Sequence, residues 1–176
     1  MLFVNSARQL LIVSGLLLCA TGVWAQDVAS VRLGFLLNFC RYTEWPQVAL
    51  SPGRPLRLCL ALGDEAMLAQ LGELARQPVQ GRPIQVSVVY RPADVSACDA
   101  LYLPTDAPGA LPAWLGAAQR SGVLTVSDLP DFADSGGMVG LAAVGGRYRF
   151  DINLGAARQA DLRFSSQLLK LARTVR

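Results

Sequence analysis

The sequence predicts an α/β domain of three layers (αβα), with a mostly parallel central sheet and a C-terminal antiparallel hairpin. Two observations carry this. From residue 56 to 126, short apolar runs alternate with helical patterns in the order β-α-β-α-β-α-β, the alternation that parallel strands need for their crossovers. Beyond Ser127 two strand-like runs, Met138 to Val144 and Arg147 to Asn153, flank Gly145-Gly146, a dipeptide suited to a tight two-residue turn.

In chain order, residues Met1 to Ala25 come first. Arg8 precedes the apolar run Leu10 to Ala20, and Val23-Trp24-Ala25 puts small residues at the first and third positions of a cleavage site. The run falls short of the roughly 20 residues that cross a bilayer, so a secretory signal cleaved after Ala25 is expected, leaving one domain over 26–176. Val28, Val31, Phe35 and Phe39 then recur at helical spacing until Trp45-Pro46 closes the segment. Leu56 to Leu62 reads as a buried strand, Asp64 as the cap of a helix to about Arg76, and Ile84 to Tyr90 as a second strand. Arg91 to Ala97 is a helical turn, Ala100 to Leu103 a strand, Pro108 to Arg120 a helix, and Gly122 to Val126 a fourth strand. In the hairpin, Tyr148, Phe150 and Ile152 point one way and Arg149, Asp151 and Asn153 the other. A helix from about Ser165 to Val175 ends the chain, with Lys170, Arg173 and Arg176 favouring its C-terminal end.

Composition narrows the function classes. The formal charge is +3 over 176 residues, and losing Arg8 with the leader lowers it by one. So mild an excess gives no footprint for nucleic acid. There is no His, which removes the commonest general base and metal ligand. Ser166 and Lys170 are four apart, which misses the Ser-x-x-Lys pattern, and Ser166 reads as a capping residue. Asp128, Asp131 and Asp134 lack the ligand density and bidentate Glu of a calcium loop. No catalytic residue, metal site or cofactor is expected.

Three cysteines follow the leader: Cys40, Cys59 and Cys98. In an oxidising compartment a pair should close and one be left over. Cys59 lies in a strand and Cys98 just before another, and parallel neighbours can bring them together. Cys40, beside Phe35, Leu36 and Phe39, reads as a buried thiol rather than an intermolecular bridge.

Recognition residues are the sharper candidates. Asn38, Tyr42, Glu44 and Trp45 gather at the end of the first helix, where Trp45 either stacks on a ligand or partner or plugs the edge of the core. Arg149, Asp151 and Asn153 share a strand face, and Arg163 and Ser165 open the last helix. These five form either an anion-binding or contact region or a solvated salt-bridged face.

The segments FLLNFCRYTEWP, LCLALGD, QPVQGRPIQV, CDALYL, GVLTVSDLPDFADSGGMV and RYRFDINLGAARQADLRFSSQLLKLAR, in this order from Val28 to Arg173, closely resemble the YfiR-like family. The resemblance implies a periplasmic α/β domain that represses an inner-membrane diguanylate cyclase through its sensory region, lowering cyclic-di-GMP and biofilm formation. It also implies relief by an outer-membrane lipoprotein, a homodimer, and Cys59–Cys98 as a family disulfide. A second disulfide known late in the family chain has no counterpart here, since no Cys follows Cys98. The alternative is a periplasmic protein that binds a nucleotide or aromatic small molecule.

Overall fold

The computed structural model describes residues 28–46, 53–61, 65–76, 78–105 and 111–176. The expected leader, the Asp64 cap and the first turn of the helix expected from Pro108 lie outside them. Helix α1 (Val28–Arg41) leads into the short β1 (Thr43–Glu44) and β2 (Leu56–Ala61). Then come α2 (Glu65–Leu74), β3 (Ile84–Val89), a 3-10 turn (Pro92–Ala97), β4 (Ala100–Leu103), α3 (Leu111–Arg120) and β5 (Leu124–Ser127). The hairpin β6 (Val139–Val144) and β7 (Arg147–Ile152) precedes α4 (Leu154–Gln159), β8 (Arg163–Phe164), α5 (Ser166–Leu171) and β9 (Thr174–Val175).

Seven strands form one sheet in the order β3-β2-β4-β5-β6-β7-β9, and β1 pairs with β8 in a separate two-stranded ladder. Pairing is parallel from β3 to β6 and antiparallel only between β6 and β7. Side chains alternate across the sheet as the pleat requires. Leu58, Leu60, Ala100, Tyr102, Leu124 and Val126 meet Leu33, Leu36, Phe39, Met67 and Leu71 of α1 and α2 on one face. Cys59, Leu101 and Leu103 meet Val95 of the 3-10 turn and Trp114 and Ala118 of α3 on the other. Two separate apolar layers sandwich the sheet, giving the three-layer αβα arrangement.

Cys59 and Cys98 are joined, with Cα atoms 5.9 Å apart. The parallel register sets Cys59 opposite Leu101 and Leu58 opposite Ala100, so Cys98 arrives beside β2 just before β4 begins. Cys40 is a free, fully buried thiol. Burial pushes it up to about 12. The turn of the hairpin is Gly145-Gly146, with φ of +56° and +73°, which glycine adopts without a Cβ penalty.

Two expectations are corrected. The last helix stops at Leu171, and the residues expected to continue it form β9, parallel to β7. Thr174 and Val175 are β-branched, and the Arg173 and Arg176 amides donate to the Phe150 and Ile152 carbonyls. Arg173 and Arg176 therefore do not sit at a helix end, but pair with Asp151 and Asp134. In consequence the hairpin is not the sheet edge, because β9 covers β7.

Candidate partner-binding site

The end of α1 is held by an unusual set of donors. The Thr43 hydroxyl donates to the Phe39 carbonyl at 2.7 Å. The Gln80 amide, on a residue with φ of +52°, donates to the carbonyls of Cys40, Arg41 and Thr43 at 3.4, 2.9 and 2.9 Å. Carbonyls that the helix leaves unpaired are thereby satisfied from a distant turn. The chain leaves α1 in one fixed direction, so Glu44 falls opposite Arg163 across the β1–β8 ladder, and the Ser165 amide donates to the Tyr42 carbonyl at 2.9 Å.

Trp45 follows. It is only 6% exposed, belongs to the core, and its indole N–H donates to the Asp99 carbonyl at 3.4 Å. The reading of Trp45 as a plug at the core edge is therefore the one the structure supports. Its remaining surface borders a cavity of about 550 Å³ lined by Glu44, Trp45, Pro46, Arg158, Asp161, Leu162 and Arg163. Glu44, Arg158, Asp161 and Arg163 are all exposed, and among the described residues no ion pair engages any of them. Two acids and two bases, in no ion pair among the described residues, thus surround an indole edge and a buried leucine.

Behind Trp45 lies a buried carboxylate that sequence reasoning missed. Asp99 accepts from Arg54 at 2.8 Å, Arg57 at 3.1 Å and Arg82 at 3.3 Å, and from the Arg57 backbone amide at 2.9 Å. Arg82 also donates to the Arg54 and Pro55 carbonyls. The three arginines are scattered in sequence, and only the C-D-A step into an apolar strand hinted that a charge would be buried there. This knot fixes the amino-terminal ends of β2 and β4 and the backbone on which Trp45 rests.

A second cavity, of about 530 Å³, opens at the carboxyl ends of the parallel strands. There β6 overlaps β5 at only two positions, so Leu141 to Val144 run past it and form a wall with β7. Such strand ends are where open α/β sheets place ligands. Here the charges are mostly spent internally. Arg32 pairs with Asp128 at 2.8 Å, and Tyr102 donates to Asp128 at 2.9 Å. Arg173 Nε donates to Asp151 at 2.9 Å, and that contact holds the Asp151 carboxyl below the usual range against the opposing effect of burial.

The expected recognition residues thus divide. Glu44, Trp45 and Arg163 share the first cavity, and Ser165 stands beside it as the cap of α5, its hydroxyl accepting from the Leu168 amide. That capping bond occupies the Leu168 amide in the first turn of the six-residue α5. Asp151 lies at the second cavity, bound to Arg173. Asn153 caps α4 and donates to the Ala133 carbonyl at 2.9 Å. Arg149 is exposed on β7 opposite Ala142, and Asn38 is exposed and accepts from Arg41 at 3.1 Å. Trp45 and Arg163 thus border one cavity and Asp151 the other.

The fold is a three-layer αβα domain with one cavity beside the end of α1 and another at the carboxyl ends of the parallel strands. Residues 29–173 match the YfiR/HmsC-like family, and the chain belongs to it. No curated protein matches the chain. Among solved structures, a conserved domain protein from Vibrio cholerae O1 biovar El Tor matches with a TM-score of 0.55 at 13% identity, over 85% of this chain and 60% of that one. The ABC domain from Streptococcus pneumonia in complex with L-Trp matches with a TM-score of 0.49 at 14% identity, over 68% of this chain and 55% of that one. The chain thus spans less than two thirds of either structure, and at these identities the first likeness concerns the fold alone.

Proposed function

We propose that this protein is an exported periplasmic regulator that binds the sensory region of an inner-membrane signalling protein, a diguanylate cyclase, and represses it. The observation that carries the reading is membership of the YfiR/HmsC-like family across residues 29–173. The Cys59–Cys98 disulfide supports an oxidising location. Repression works by stabilising one conformation of the receptor, a population shift rather than turnover, so the chain acts as a ligand and not as an enzyme. An outer-membrane lipoprotein would compete for the chain and relieve repression.

The contact face is the cavity of Glu44, Trp45, Arg158, Asp161 and Arg163, because its four charges have no ion-pair partner among the described residues. Arg163→Glu tests it. The variant should keep the wild-type melting temperature and lose repression in a cyclic-di-GMP reporter strain. Normal repression by Arg163→Glu would remove this face from the mechanism. Trp45→Ala is a poorer probe than its position in sequence implied, since truncating a buried tryptophan costs about 3–5 kcal/mol of stability. Export has its own check: the chain recovered from periplasm should begin at Gln26 by mass spectrometry.

The cavity at the strand ends favours a second reading, a free-standing small-molecule binding protein. A thermal-shift screen with nucleotides and aromatic compounds separates the two, since micromolar stabilisation would point to the ligand role.

A further inference from the structure

Strand β5 stops early. The Ser127 hydroxyl accepts from the Leu129 amide at 3.0 Å, which turns the chain out of the sheet, and Pro130 has no amide to continue a ladder. Strand β6 goes on. Its pairing with β5 ends at Ser127–Gly140, whereas its pairing with β7 runs to Val144–Arg147. The direction of its free groups follows from β9. The Phe150 and Ile152 carbonyls accept from the Arg173 and Arg176 amides, so those two residues face β9, and Arg149 and Asp151 face β6. Their partners Ala142 and Gly140 face β7 in turn, which leaves Leu141 and Ala143 turned to the side that β5 has left. Among the described residues no hydrogen bond engages the amide or carbonyl of Ala143, and Ala143 is exposed. The second cavity lies against this stretch, with Leu141 to Val144 as one wall and residues 128–134 as another.

We propose that this gap is a binding slot for an extended peptide segment of another protein, which pairs with β6 at Ala143 and carries a lysine or arginine. An open strand edge is what recognition by strand addition uses, with backbone bonds giving affinity and side-chain pockets giving specificity. Residues 141–144 span ~13 Å of strand, and the cavity of about 530 Å³ beside them suits a segment of that length. Charge selects the side chain. Asp128, Asp151 and Asp134 pair with Arg32, Arg173 and Arg176. Asp131 also lines the cavity, but it is exposed and in no ion pair among the described residues. One carboxylate therefore stands unmatched beside open backbone, and it favours a cationic side chain over the phosphates of a nucleotide. The inference concerns this cavity alone and stands whether or not the face at Glu44 and Arg163 carries repression.

Titration of the purified chain with a model peptide, read by calorimetry and by amide hydrogen exchange, tests this. Acetyl-Thr-Val-Lys-Val-Thr-amide should bind at roughly 0.5 mM and slow exchange of the Ala143 amide several-fold. With Glu in place of Lys it should bind about tenfold more weakly, since attraction to Asp131 becomes repulsion. Asp131→Asn should weaken the lysine peptide about threefold and leave the melting temperature unchanged. An N-methyl group on every peptide residue should abolish binding, because backbone pairing is then lost. No binding of the lysine peptide at about 2 mM overturns the proposal, as does equal affinity for the lysine and glutamate peptides. Equal binding of the N-methylated peptide, or of lysine amide alone, overturns it in favour of a small-molecule site. Protection of Ala143 in the free chain overturns it too: if lost on dilution, a second copy fills the slot, and if kept, the chain's own residues do.

Discussion

Asp99 and Cys40 show what a single buried polar atom costs and how it is managed. The Asp99 carboxylate, 7% exposed, answers three arginines and a backbone amide, of which only Arg82 is comparably enclosed. Arg54 and Arg57 are about 30% exposed, so water screens their share. Removing the carboxylate leaves the Arg57 amide without its acceptor and the enclosed Arg82 without its counter-charge, with only the Arg54 and Pro55 carbonyls to donate to, and Asp99→Ala should lose about 3 kcal/mol by urea denaturation. A smaller loss, near that of a surface substitution, would show that the exposed arginines carry little. Cys40 is managed differently, by staying neutral in the core. An ordinary thiol ionises near 9.0, and in the fold burial raises Cys40 to about 12. Between those values the unfolded chain binds fewer protons than the folded one, so stability falls as pH rises. Relative to Cys40→Ala, wild type should lose about 1.4 kcal/mol per pH unit above pH 9, measured by denaturation at pH 8 and pH 10.

At the scale of elements, what the sequence made legible depended on whether a local pattern and its partner agreed. Ala100–Leu103, the hairpin about Gly145-Gly146 and α1 were readable because alternation, turn chemistry and apolar spacing speak locally. The end of the chain was not, because SQLLKLARTVR carries a helical pattern that a distant strand interrupts. What breaks it is the Asp151–Arg173 pair with the backbone bonds to Phe150 and Ile152, none visible until β7 is in place. The site behaved alike. Glu44, Trp45 and Arg163 were found as residue types, but their grouping depends on the β1–β8 ladder, a long-range pairing of two-residue strands. Asp151→Asn should loosen β9: the Arg173 and Arg176 amides should exchange several-fold faster with deuterium, while β5 amides are unchanged. Acid should act likewise, since the lowered Asp151 value adds stability that is present above the ordinary carboxylate range and lost as pH falls through the folded one. Unchanged exchange at both amides would mean that the backbone bonds hold β9 alone.

For the whole molecule, the two apolar layers are joined through the sheet and clamped by one covalent link. The Cys59–Cys98 bridge closes a segment with a sequence separation of 39 residues, containing α2 and β3. In the chain-entropy picture such a loop contributes about 4 kcal/mol. The Cys59→Ser, Cys98→Ser double variant should lose a comparable amount in denaturant, and reductant should lower the wild-type midpoint but leave the variant's where it was. A variant as stable as wild type would mean that packing of Val95, Trp114 and Leu101 holds that side without the bridge.

The same bridge decides what a protease can do to this protein. A cut anywhere between Cys59 and Cys98 severs the backbone yet leaves both halves tethered through sulfur. Such a nicked chain would migrate intact on a non-reducing gel and fall into two fragments only when thiol is added. Damage within that stretch is therefore hidden from a size-based assay that keeps the protein oxidised.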